Sequence, residues 1–269
     1  GRLVLVGLLT LFVADEVAVY GLAVGGAPFL GVAAALAGQR RAGRRPSGPA
    51  PEDPPTIGRR AELGALAPAL GALLVASVST AVVLNVSPLA VELLAGPAEV
   101  DAAGRFLNAL LVARVPLFFF QAVQASLLPK LSALAADQQF DEFRRVLGRL
   151  LALVGALGLA AVVACALIGH RVVEIAFGTE FAVDRRDMVL LAASSAVLMV
   201  VLCLAQALIA HRCQGRMALA WLVGLVAFPL VLALGGDLFL RVELALLATV
   251  ATTMVVMVVL LARRSRLLH

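Results

Sequence analysis

The residue with the clearest chemical potential is an arginine inside a long apolar stretch. Arg114 lies near the middle of the segment 102–128. An arginine facing lipid there would cost at least about 2.5–3.5 kcal/mol, so we expect its guanidinium to face a protein interior or a watery cavity. Gln121 follows two helical turns later on almost the same face, and Gln124 lies one further turn along and about 80° round the helix. The three side chains predict a polar stripe that lines a pathway through the apolar region and binds substrate.

A structural role is the alternative for this arginine. In that interpretation Arg114 caps backbone groups or pairs with a carboxylate purely for packing. Pro116 and Pro129 flank the stripe and predict kinks that expose carbonyl groups to a cavity. Asp15 and Glu16 are interpreted as part of a loop between two spans, with an ion relay as their alternative role.

The other polar residues of the apolar segments predict packing. Contacts between helices are expected from Ser77, Thr80, Asn85, Thr249, Thr252 and Thr253. His170 and His211 are expected at solvated span ends, and the three cysteines lack metal-ligand spacing. The sequence contains no phosphate-binding loop, no His-Glu-x-x-His zinc motif, no Cys-x-x-Cys pair and no plausible Ser/His/Asp set. We therefore predict no catalytic residue, no metal and no cofactor, and transport is the function class that remains.

The composition defines the class of protein that must position these residues. The chain has 269 residues, of which 62% are hydrophobic and 14% charged, whereas soluble domains carry about 25% charged residues. A soluble monomer and a disordered tail are excluded, and three widely spaced cysteines exclude a disulfide scaffold. The net charge of +5 indicates membrane orientation and no nucleic-acid partner. The prediction is an all-α integral membrane protein, and the near-absence of lysine indicates a bacterial coding sequence rich in G and C.

Apolar runs of about 20 residues mark the membrane spans. Whole spans are predicted at Val17–Gly38, Leu63–Val86, Ala102–Leu128, Leu147–Gly169, Met188–Ala210, Met217–Leu234 and Val242–Ala262. Leu3–Val13 is too short to span and is interpreted as the end of a helix whose start is missing, so we expect the chain to be a fragment. A polar segment separates the spans Ala102–Leu128 and Leu147–Gly169. In it Phe140, Phe143 and Leu147 repeat at helical spacing and predict an interfacial helix that runs into the next span. Asp141 is expected to pair with Arg145 one turn along this helix.

One segment divides the chain. Residues 39–60 contain six arginines and five prolines, a composition that predicts a solvated linker. The predicted organisation is two helices of a truncated N-terminal lobe in 1–38, a linker in 39–62, a six-helix C-terminal lobe in 63–262 and a basic tail in 263–269.

The arginines also predict orientation. Loops on the side of the linker hold fifteen basic residues and the opposite loops hold five. Because cytoplasmic loops are enriched in Arg and Lys, we expect the linker and the C-terminus to face the cytoplasm of a multi-pass bacterial plasma-membrane protein.

The ordered pattern resembles a known superfamily. It consists of the run Arg114-Val-Pro-Leu-Phe-Phe-Phe-Gln-Ala-Val-Gln-Ala-Ser-Leu-Leu-Pro-Lys-Leu-Ser, the segment from Ala135 to Arg145 and the turn Phe177-Gly-Thr-Glu-Phe181. Over about residues 64–262 it looks like the C-terminal half of the multidrug/oligosaccharidyl-lipid/polysaccharide flippase superfamily. The polysaccharide-transporter (Wzx-like) branch fits best, with the lipid II flippases close by.

The resemblance implies a function. Members have two six-helix lobes and move lipid-linked sugars by alternating access, and Arg114 matches a cavity arginine that meets the lipid pyrophosphate. The expected partners are membrane lipid, a lipid-linked glycan, the missing N-terminal lobe and a coupling cation. The alternatives are a cation-coupled drug or metabolite antiporter of the same superfamily, and a membrane glycosyltransferase, polymerase or non-transporting scaffold. We predict a flippase and no enzyme.

Overall fold

Helices make up nearly all of the part of the chain that the structure describes. This computed structural model describes residues 56–96 and 101–266, and side chains within 67–96, 101–121, 124 and 129–263. The helices are α1 Thr56–Leu94, α2 Ala102–Ala113, α3 Val115–Ala136, α4 Phe140–Ala164, α5 His170–Phe177, α6 Arg185–Ala210, α7 Gln214–Leu232 and α8 Leu238–Arg266. The predictions for residues 1–38, for 39–55 and for 267–269 lie outside the described residues. The chain divides into two compact units, Gly1–Gly64 and Ala65–His269, and the second is described below.

The helices confirm the prediction of an all-helical protein with several spans. Among the described residues, five helices are long and apolar enough to cross a membrane, and the bent pair α2–α3 makes a sixth if it is one span. These helices indicate a multi-pass membrane protein. Two boundaries differ from the prediction, because α1 already begins at Thr56 and the segment 102–128 is broken at Arg114. Residues 56–62, expected in the linker, are therefore helical.

α6 is the central helix of the Ala65–His269 unit. It packs against α2, α3, α4, α7 and α8, and two thirds of its most apolar window is buried. A helix that is apolar all round is stable when other helices surround it. The buried hydroxyls of Ser194 and Ser195 donate to the carbonyls of Leu190 and Leu191 in the same helix, so they need no partner elsewhere.

Small residues allow two helix pairs to approach closely. A Cβ atom at Gly224 of α7 would collide with Thr253 Oγ1 and lie 2.9 Å from the Thr249 carbonyl oxygen of α8. A Cβ atom at Gly158 of α4 would lie 2.8 Å from the Cβ atom of Ala196 in α6. Glycine at these positions therefore permits the contact between the backbones, as is common between membrane helices.

The contacts define two ends. Leu131, Phe143 and Ala207 pack together at one of them, and Ala102, residues 182–187 and residues 237–239 meet at the other. The "turn end" carries the connections 137–139 and 211–213. At both turns a non-glycine residue has a φ of 55°, Gln138 in the first and Arg212 in the second. Gln139 N bonds the Leu134 carbonyl and Cys213 N bonds the Leu208 carbonyl, which is the Schellman pattern of helix termination. The "cleft end" carries the connections after α1, α5 and α7.

α4 and α5 form one continuous apolar rod. A π-helical turn at Cys165–Gly169 joins them, and together they cover Phe140–Phe177. Phe143 is buried with Leu131 and Ala207, so the predicted apolar face packs against the bundle.

An ion pair near the start of α4 differs from the prediction. Arg145 pairs with Glu142, at 3.1 Å, where Asp141 was expected. The observed pair has i,i+3 spacing instead of i,i+4, and both spacings place two side chains on one helix face.

Candidate functional site

The predicted arginine lies at a break in its helix. α2 ends at Ala113 and α3 begins at Val115, and the two segments are bent by 49°. Pro116, the second residue of α3, cannot donate a hydrogen bond to the carbonyl four residues earlier, which explains the bend. The Arg114 backbone N–H bonds the Leu110 carbonyl at 3.0 Å, so the chain stays helical up to the break.

The guanidinium of Arg114 reaches across to α1. Its Nη1 donates a hydrogen bond of 2.6 Å to the carbonyl oxygen of Leu84. That oxygen lacks its usual helical donor because the residue four positions later is Pro88, which has no N–H. The arginine therefore replaces the hydrogen bond that the proline removes, and the backbone-capping interpretation is observed for this one donor.

The rest of the guanidinium is available. An arginine carries five N–H donors, and among the described residues only the Leu84 carbonyl accepts from it. The Arg114 side chain is half-buried, so it does not project fully outward. No described residue accepts from the other four donors, which can therefore bind a ligand or water next to the break.

The two glutamines of the predicted stripe do not join this arginine directly. Gln121 is exposed and Gln124 is half-buried on α3. Within the described part of the chain no hydrogen bond links either glutamine to Arg114. Gln121 lies about 10 Å further along the helix, a distance set by seven residues of 1.5 Å rise. Pro129 lies inside α3, which continues to Ala136.

The small polar residues predicted between helices bond within their own helix. Thr80, Asn85, Thr249 and Thr253 each donate to the carbonyl four residues earlier. Thr253 also packs against Gly224 of α7, so this threonine makes the expected contact between helices.

His211 was predicted at a span end and contacts two aromatic rings, and the three cysteines were predicted in packing positions. The His211 ring lies 4.4 Å from that of Phe143, between centroids, and is also near Phe140. The three cysteines are buried. In the described ranges no group of three His, Cys, Asp or Glu side chains could hold a metal ion.

A charged cleft lies at the cleft end, and the sequence did not predict it. Arg186, in the first turn of α6, donates from Nε and Nη2 to Asp187 Oδ1 at 3.0 and 2.9 Å. Its Nη2 also bonds Asp237 Oδ2 at 3.2 Å, and Asp237 accepts the backbone N–H of Leu240 at 3.1 Å. These side chains and Arg105 line a cavity of about 240 Å³.

Several buried polar side-chain atoms have no hydrogen-bond partner among the described residues. They belong to Ser87, Arg105, His170, Arg241 and Glu243. Glu243 is the carboxylate of this set: it is 0% exposed, and neither of its oxygens has a described hydrogen-bond partner. The charges of the cleft come from segments 51 residues apart, so no local spacing reveals that they meet. The sequence marks this region only by Glu243, a glutamate within the second turn of an apolar helix.

No protein-family model, no curated protein and no solved structure matches this chain. Its function must therefore be inferred from its own geometry and chemistry.

Proposed function

We propose that this chain is part of a membrane flippase that moves a lipid-linked oligosaccharide or polysaccharide precursor across the bilayer. The observation that carries the proposal is Arg114, a half-buried guanidinium at a 49° helix break. Four of its five donors have no acceptor among the described residues. A pyrophosphate crossing hydrocarbon needs a positive and hydrated partner, and arginine binds phosphate oxygens through paired N–H groups.

The architecture is compatible with alternating access. The six-helix lobe surrounds the buried helix α6 and would move as one body against a second lobe. The resemblance stated above supplies that second lobe, upstream of the linker 39–62, and places substrate between the two near the midplane. In this proposal Gln121 and Gln124 extend the polar path from Arg114 toward the turn end.

The distribution of basic residues indicates the membrane orientation, from which we infer the direction of transport. The proposal places the turn end and the C-terminus in the bacterial cytoplasm, where lipid-linked sugars are assembled, and the cleft end outside. Substrate then enters at the turn end, passes Arg114 and leaves at the cleft end.

The test is a set of variants in the full-length protein, scored by complementation of a strain that lacks its flippase. Arg114→Ala should lower export by about 10–100-fold, which corresponds to losing one charged hydrogen bond worth about 1.5–3 kcal/mol. Arg114→Lys keeps the charge and should retain part of the activity. Arg216→Ala, at the exposed start of α7, is the matched control and should export normally.

A second pair of variants distinguishes a role of Arg114 in transport from a role in helix packing. Pro88→Ala gives the Leu84 carbonyl a donor within α1, so Arg114 is no longer needed for that bond. The double variant Pro88→Ala/Arg114→Ala should therefore be stable in the membrane and still fail to export. Normal export by the double variant would show that the arginine has only a structural role and would overturn the proposal.

A cation-coupled antiporter is the second candidate, and the buried Glu243 favours it. Such a transporter needs an acidic residue within its spans, and Glu243 is fully buried in α8. Drug efflux by the purified full-length protein, with no movement of a lipid-linked sugar, would select this candidate.

A further inference from the structure

The cleft end combines a solvent-connected cavity with a fully buried acid. Arg186, Asp187 and Asp237 line the cavity of about 240 Å³, and Arg186 bridges the two aspartates. Phe239 also lines the cavity, and Glu243 follows it by one turn on the same face of α8. The glutamate therefore lies about one helical turn from the cavity, and it is fully buried.

Glu243 lacks the partners that an ionised carboxylate requires. It is 0% exposed, and no described donor bonds to either oxygen. Burying an unpaired charge costs far more than burying a neutral acid, so the group is stable there with a proton or with a bound cation. Arg186 does not neutralise it, because the hydrogen bonds of Arg186 go to Asp187 and Asp237.

The surrounding groups favour a proton over a metal ion. Within the described ranges no group of three His, Cys, Asp or Glu side chains could hold a metal ion. The charged groups near it are Arg186 and Asp187 on α6 and Asp237 and Arg241 around the start of α8. α7, the other helix that packs on α8, has Arg216 as its one charged residue, at the turn end.

We propose that Glu243 is a proton-binding site, reached through the cleft when the Arg186–Asp237 ion pair opens. A proton from water adds to one carboxylate oxygen, and the neutral acid is held in the apolar packing of α8 against α6 and α7. Release reverses the step and leaves a carboxylate beside Arg186, which can then exchange Asp237 for Glu243. This inference does not depend on which substrate the protein moves.

Infrared spectroscopy of the full-length protein in lipid bilayers tests the proposal directly. The wild type should show the carbonyl stretch of a protonated carboxylic acid at neutral pH, and E243Q should lack it. Glu92→Gln, at an exposed carboxyl of α1, is the matched control and should keep the band. D237N breaks one of the two ion pairs of Arg186. After transfer to D₂O, the acid proton should therefore exchange faster, and the isotope shift of the band should appear sooner than in the wild type.

Three results would overturn the proposal. The first is a wild-type spectrum in which E243Q removes no acid band. The second is loss of that band on adding sodium at constant pH, which would assign the site to a metal ion. The third is a collapse of thermal stability in E243Q, because glutamine has the shape and charge of the neutral acid and should fit the same packing.

Discussion

At the residue scale, Asp237 has two separable roles. Its Oδ2 atom accepts the Leu240 N–H three residues on, as an N-cap of α8 does, and also the Arg186 guanidinium. We expect D237A to destabilise the protein by about 1 kcal/mol, because both interactions are lost. D237N should lose less than half of that, since asparagine still caps a helix while an exposed ion pair contributes little. Unfolding by heat in detergent micelles measures both variants.

Equal losses in the two variants would contradict this assignment. They would mean that the charge of Asp237, and not the cap, stabilises the start of α8. The ion pair with Arg186 would then be the stronger of its two interactions.

Single residues also show what the sequence could predict of the candidate site. Arg114 could be recognised because a charge inside an apolar run is costly wherever it faces lipid. Its actual acceptor, the Leu84 carbonyl, lies 30 residues away, and the available clue was Pro88, which frees the carbonyl four residues before it. The Arg186–Asp237 pair could not be predicted from the sequence, because only the packing of the helices brings these two residues together.

At the element scale, the contact between α7 and α8 depends on the glycine at position 224. Gly224→Ala places a Cβ atom against Thr253 Oγ1 and the Thr249 carbonyl, so α7 must shift. We expect a loss of about 1–3 kcal/mol of stability, as for other overpacked sites. Gly155→Ala is the matched control, because nothing lies within 4 Å of its Cβ position, and it should be neutral or stabilising by up to about 1 kcal/mol.

A compensating variant tests the cause. Thr253→Ala removes the atom nearest to the new Cβ, so Gly224→Ala/Thr253→Ala should recover part of the loss. If the double variant is as unstable as the sum of the two single variants, the contact does not account for the effect.

Elements were more predictable than their ends. Long apolar runs predicted the spans because a helix that crosses a bilayer must be apolar over about 20 residues. The tight turns at Gln138 and Arg212 escaped notice because each uses a left-handed residue other than glycine. The break at Arg114 was anticipated only as a kink from Pro116, and α1 extends into residues whose arginines and prolines predicted a linker.

At the scale of the whole molecule, the two ends of the bundle should face opposite compartments. The three cysteines of the sequence are buried, so a maleimide reagent should not label them. Ala136 at the turn end and Thr179 at the cleft end are exposed. In intact cells an impermeant maleimide should label Thr179→Cys and leave Ala136→Cys unlabelled until the membrane is opened.

The reverse pattern would invert the assignment of the cytoplasmic side, and with it the direction of transport proposed above. Labelling of both positions in intact cells would mean that the two ends share one compartment, which would contradict helices that cross the membrane between them. The protein without added cysteines should stay unlabelled and serves as the control.

The π-helical turn at Cys165–Gly169 determines how the rod from α4 to α5 tolerates changes in length. A turn of this kind accommodates one residue more than regular winding does. Deleting one residue there would let the rod wind regularly and leave the residues up to Phe177 on their present faces. Val173 would therefore stay buried. The rod holds one residue in excess, so its length can change by one residue without turning its far end.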